Sequence, residues 1–94
     1  MLYKSIEKIV QEYVLSIEGL TFTIKGRISE RLDNTNPSQR FSWAISHYFR
    51  PSEHAGGHYL PSTRSASTFQ GAEAMLKAYM DGITTLDVTP NEYY

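Results

Sequence analysis

Between Gly19 and Pro51 the chain carries two alternating runs, and they constrain the fold more than any other feature. Leu20, Phe22, Ile24, Ile28 and Leu32 hold even positions, with Gly26 in phase, while Thr21, Thr23, Lys25, Arg27, Ser29 and Arg31 hold odd ones. Phe41, Trp43, Ile45, His47 and Phe49 then alternate with Arg40, Ser42, Ala44, Ser46, Tyr48 and Arg50. A side-chain period of two belongs to extended backbone, and apolar residues on one parity mean a sheet with one buried face. Residues 33–39, Asp-Asn-Thr-Asn-Pro-Ser-Gln, are rich in turn formers and join the runs. Pro51 stops the second run, since proline has no ladder donor. Gly26 leaves a gap on the inner face, which suggests a bulge, a bend or a closely packed helix.

The apolar face needs a cover. Leu2, Ile6, Ile9, Val10, Tyr13, Val14 and Ile17 recur at spacings of three and four, so residues 2–17 read as an amphipathic helix closed by Gly19. Phe69, Ala72, Met75, Leu76, Tyr79, Met80 and Ile83 mark a second helix, with Ser67 as N-cap, Gln70 at capping-box spacing and Gly82 after its end. His58 to Ser62 reads as a short third strand, at an edge because of Pro61. The weakly alternating tail from Thr84 to Thr89 can add a short edge strand, and Asn91–Tyr94 is expected to be loose. The predicted fold class is α+β: a two-layer sandwich in αβββα order, with a three-stranded antiparallel sheet and two helices packed on one face.

Length limits what such a fold can do. The chain has 94 residues, read as one domain over 1–94, against roughly 100–150 for a common domain. One core layer leaves little room for a deep substrate cavity, so function is expected on an outer face or a loop. With no cysteine there is no disulfide, thiolate site or cysteine nucleophile. No apolar run is long enough to cross a bilayer and no signal-peptide pattern is present, so the expectation is a cytoplasmic protein with no membrane role.

Nine Lys and Arg against ten Asp and Glu give a net charge of −1, which excludes a bulk polycation. Parity nevertheless predicts that Lys25, Arg27, Arg31, Arg40 and Arg50 project together from the uncovered sheet face, with Tyr48 among them. Glu30 falls on the inner parity, and most other acids fall on helices, loops and the tail. Seven Tyr, four Phe and one Trp are many aromatics for this length. Trp43, Phe41, Phe49, Phe22, Phe69, Tyr13 and Tyr79 sit at core parity. Tyr3, Tyr48, Tyr59, Tyr93 and Tyr94 are left over, and exposed tyrosines beside arginines have the composition of a binding surface. The partner-binding set is therefore Lys25, Arg27, Arg31, Arg40, Tyr48, Arg50, Tyr59 and Arg64, facing a protein with an acidic surface. Nucleic acid is the alternative partner, and a homodimer through the sheet face or the third-strand edge explains the tyrosines equally well.

His47 shares its parity with the core aromatics and reads as a neutral core histidine. His54 and His58 flank Gly56-Gly57, where helical His-x-x-x-His geometry does not form, so they read as loop residues and not as metal ligands. No nucleophile elbow, phosphate loop or dinucleotide motif is present, so no catalytic, cofactor or metal residue is assigned and the chain is read as non-enzymatic.

The helix–strand–strand–strand–helix order resembles that of the double-stranded-RNA-binding domain, which implies phosphate contacts from the start of the second helix. Here that helix begins Ser67-Thr68-Phe69-Gln70-Gly71, with no lysine before Lys77, and the first interstrand loop has neither Gly-Pro nor His. In size and layout the chain looks like small accessory proteins of phages and mobile elements, including anti-CRISPR-type inhibitors. That resemblance implies a non-catalytic module that sterically blocks a partner through its exposed sheet face.

Overall fold

The first amphipathic segment is a strand. In the computed structural model, which describes residues 2, 4–33, 36–61 and 63–94, β1 (Glu7–Ser16) pairs antiparallel with β2 (Thr23–Arg31). The remaining elements are a 3-10 turn (Pro37–Gln39), β3 (Phe41–Ile45), β4 (His47–Tyr48), β5 (Ser65–Ala66), α1 (Phe69–Asp81) and β6 (Thr89–Pro90). One sheet has the order β1-β2-β3-β5 and a separate ribbon joins β4 to β6. The expected αβββα sandwich is thus corrected: among the described residues there is one helix on a four-stranded sheet, with a two-stranded ribbon beside it.

The misread segment has a physical explanation. Ile6, Ile9, Val10, Val14 and Ile17 are β-branched and favour extended backbone. A bulge also disguises the strand's period. Glu7, Lys8 and Ile9 face Arg31, Glu30 and Ser29, but Gln11 faces Ile28, leaving Val10 as an extra residue. The half-buried positions are Val10 before the shift and Tyr13, Leu15 and Ile17 after it. The step from 10 to 13 imitates a helical spacing. Gly19, expected to close a helix, has φ of 94° in the hairpin connection, a left-handed conformation that suits glycine.

The core lies between α1 and the middle of the sheet. Ile24, Ile28, Trp43, Ile45, Phe49, Ala72, Leu76 and Tyr79 are buried. Burying a side chain the size of Ile, Leu or Phe contributes about 1.5–3 kcal/mol, so this cluster dominates stability. α1 starts one residue later than expected: Thr68 is the N-cap, and its hydroxyl accepts from Gly71 N–H at 3.0 Å. Gly82 caps the other end with φ of −91°, so no left-handed residue is needed there.

The second alternating run is split at Ser46. Ser46 N–H donates to the Lys25 carbonyl at 2.8 Å, and its hydroxyl accepts from Lys25 N–H at 2.7 Å. The chain then leaves the sheet and forms β4 opposite β6. Asn91 secures this corner, with its N–H on the Ser46 carbonyl at 2.8 Å and its side-chain amide on the Ile45 carbonyl at 2.9 Å. The tail expected to be loose is docked. The third strand expected over 58–62, whose Ser62 lies outside the described residues, is absent, and Ser65–Ala66 pairs with β3 instead. Phe22, expected in the core, is 42% exposed.

The gap at Gly26 admits the helix. A β-carbon there would stand 2.9 Å from Leu76 Cδ1, 3.3 Å from Leu76 Cδ2 and 3.4 Å from Met80 Sδ. Gly26→Val therefore overpacks the helix–sheet contact. Urea unfolding is expected to show a loss of about 1–3 kcal/mol.

Candidate functional site

The structure divides the eight residues singled out from the sequence among separate places. Lys25, Arg27 and Arg31 alternate on β2, on the face away from α1. They do not stand there alone. Glu12 is opposite Arg27, Glu7 is opposite Arg31, and Val14 is opposite Lys25. Both acids come from the segment expected to be a helix, so the sheet face carries mixed charge. The chain end covers part of it: the Arg27 guanidinium lies 4.4 Å from the Tyr94 ring centre, and the Tyr94 hydroxyl donates to Glu12 at 3.4 Å. Burial, with the Glu12 carboxylate adding to it, pushes the Tyr94 phenol above its ordinary value.

Arg40 and Arg50 are elsewhere. Arg40 precedes β3 and pairs with Glu30 at 2.6 Å. Arg50 follows β4. Its guanidinium lies 3.4 Å from the Asp87 carboxylate and donates to the Glu53 carbonyl at 3.1 Å, while its backbone carbonyl accepts from the Thr84 hydroxyl at 2.6 Å. These contacts tie the 51–54 loop to the chain around Asp87.

Tyr48, Tyr59 and Arg64 come together around Trp43. Residues 59–61 and 63–64 form a strap beside β3: Tyr59 N–H donates to the Phe49 carbonyl at 2.8 Å, and Trp43 N–H donates to the Arg64 carbonyl at 2.9 Å. Under the strap the aromatic rings interlock. Tyr59 stacks on Tyr79 with centres 5.1 Å apart, and Tyr79 meets Phe49 at 5.0 Å and Trp43 at 5.7 Å. The Tyr79 hydroxyl donates to the Tyr59 carbonyl, holding the strap on the helix. Between strap and helix is a groove of about 310 Å³ lined by Trp43, Tyr59, Pro61, Thr63, Met75, Ala78 and Tyr79. A smaller hollow of about 100 Å³ shares Trp43 and Pro61 and adds Tyr48, Arg64, Asn91 and Tyr93. The indole N–H of Trp43 is buried with no partner among the described residues. Tyr3, counted with the surplus tyrosines, lies outside the described residues.

Trp43, Met75 and Pro61 carry no site signal in the sequence. Trp43 and Met75 have core parity and Pro61 marks an end of strand pairing; nothing local shows that all three meet at one opening.

His47 and His58 have structural partners. His47 is half-buried, stacks on Phe22 with centres 4.9 Å apart and shares a 2.8 Å hydrogen bond with the Ser46 hydroxyl. Burial lowers its pKa, so the neutral ring is favoured. His58 Nε2 donates to the Asp87 carbonyl at 2.8 Å, and His54 is exposed. Among the described residues, no three His, Asp or Glu side chains are grouped for a metal ion, and no helix is long and apolar enough to cross a membrane. The chain matches no protein-family model, no curated protein and no solved structure.

Burial, followed by the neighbouring Tyr48 and Tyr59, raises the Tyr79 phenol well above its ordinary 10.0. The folded state then holds this proton more tightly than the unfolded chain. The resulting stability is present below pH 10.0 and is lost as pH rises through the folded pKa. In an alkaline spectrophotometric titration, Tyr79 is expected to ionise only with unfolding, and Tyr79→Phe removes that step. The same substitution removes the bond to the strap and costs roughly 0.5–1.5 kcal/mol by urea unfolding.

Proposed function

We propose that the chain is a non-catalytic protein-binding module that works by occupying its partner's surface, as small phage and mobile-element accessory inhibitors do. The observation that carries this reading is the groove at Trp43, Tyr59 and Tyr79, with Arg64 in the adjoining hollow. Tyr59 is 50% exposed at its rim and Arg64 is exposed beside it, residue types that dominate binding energy at protein interfaces, while the buried Trp43 and Tyr79 form its floor. The groove takes an apolar side chain, and Arg64 favours an acidic residue beside that anchor. The hydrogen-bonded strap and the helix hold its walls in place before binding, which lowers the ordering cost.

The outer sheet face supports a secondary contact. Glu7 and Glu12 interleave with Arg27 and Arg31, which weakens attraction for a phosphate backbone and suits a protein of mixed charge. The reading assumes a cytoplasmic partner.

Affinity purification from the native cell, followed by mass spectrometry, tests this. Ala78→Arg blocks the groove from an exposed helix position, and Arg64→Glu reverses its flanking charge. Each is expected to weaken recovery of a stoichiometric protein partner by about tenfold or more, as for a hot-spot loss of at least 1.4 kcal/mol. Arg40→Ala, outside the groove, should leave recovery unchanged. Equal recovery by all variants, or recovery of nucleic acid alone, contradicts the proposal.

A further inference from the structure

β1 ends the main sheet, and among the described residues no strand pairs with its outer edge. Edge strands are normally short, charged or covered, because their free amides template association. β1 has ten residues and none is buried. Ile9 and Val14 are 56% and 60% exposed, and Ile6 just before the strand is 40% exposed.

The bonds already made identify which backbone groups face outward. Leu32 donates to the Ile6 carbonyl, so Ile6 and Lys8 turn toward β2, while Glu7 and Ile9 turn away. Ser46 donates to the Lys25 carbonyl, so Lys25 turns toward β3. Its neighbours Ile24 and Gly26 then turn toward β1, and their partners Leu15 and Tyr13 turn toward β2. Glu12, Val14 and Ser16 therefore face outward. The bulge at Val10 has moved the outward set from odd positions to even ones.

Two antiparallel copies bond only where outward groups meet outward groups. One register satisfies this along the whole strand. It places Ile9 opposite Glu12 of the other copy, Glu7 opposite Val14, Lys8 opposite Tyr13, and Val10 opposite Gln11. In that register every side chain also stays on its own face of the sheet, and no like charges oppose one another. Ile9 of one copy then lies beside Glu12 of the other, at exposed positions of both strands. The symmetry axis makes this contact twice.

We infer that β1 pairs antiparallel with β1 of a second copy, about a two-fold axis between Val10 and Gln11, joining the two sheets into one. The interface is separate from the groove.

Sedimentation over a micromolar to millimolar series tests the dimer. The wild type is expected at twice the chain mass of 10.7 kDa. Val14→Pro removes an outward N–H that the β2 ladder does not use, and is expected to raise the dimer dissociation constant by about tenfold or more while circular dichroism stays unchanged. Val14→Thr keeps the donor and should stay dimeric. Ile9→Glu, opposite Ser29 within its own chain, puts an acid opposite Glu12 of the other copy and should weaken the dimer without proline strain, less so at high salt. A wild type that is monomeric throughout the series overturns the inference, and so does a folded Val14→Pro that dimerises normally. Should Val14→Pro not fold, an Ile9→Glu that dimerises like the wild type overturns it.

Discussion

The contact between Leu76 and the bare backbone at Gly26 governs much of this molecule. α1 can approach β2 because no side chain rises from the sheet at that point. That approach sets the height of the helix. The height brings Tyr79, one turn further on, against Trp43 and Phe49, and Tyr79 in turn supplies the ring on which Tyr59 stacks. A helix held higher by one methyl group would separate these rings, and the strap at Tyr59 would lose both its stacking surface and its hydrogen bond. The groove is thus a consequence of helix–sheet packing and not a feature of a loop.

Where local pattern and local structure agree, the sequence is legible. β2, β3, the turn at Pro37–Gln39 and α1 follow from alternation, turn residues and helical spacing, with the cap displaced by one residue to Thr68. The gap at Gly26 is read as a closely packed helix among other options, and that option is the one present. β1 defeats the same reasoning because a single extra residue at Val10 changes the phase of a period-two pattern. Over a ten-residue strand, one phase change makes spacings of two look like spacings of three and four. The β-branched content of the segment is the signal that opposes a helix, and it outweighs the periodicity here. The split at Ser46 is likewise invisible locally, since it depends on hydrogen bonds to Lys25 and Asn91, both remote in sequence.

The error at β1 carries through to the electrostatics. Parity places Lys25, Arg27 and Arg31 correctly on one face, but the acids that accompany them belong to the segment assigned to the opposite side. Arg40 and Arg50 leave that face because β3 spans only Phe41 to Ile45. Of the surplus residues, Tyr48, Tyr59 and Arg64 converge, and what joins them is Trp43, whose parity marks it only as core. A residue that is both core and floor of an opening has no separate signature in a single sequence.

The corner at Ser46 also sets a schedule for folding. The Ile45 carbonyl finds its partner in the side chain of Asn91, forty-six residues later, and the Ser46 carbonyl in the same residue's backbone N–H. A ribosome delivers the first hairpin and β3 long before that asparagine leaves the exit tunnel. Until then the nascent chain holds an unfinished bend, with the β4 segment lacking its β6 partner. Closure of this corner therefore waits until Asn91 has emerged, whatever local structure forms before.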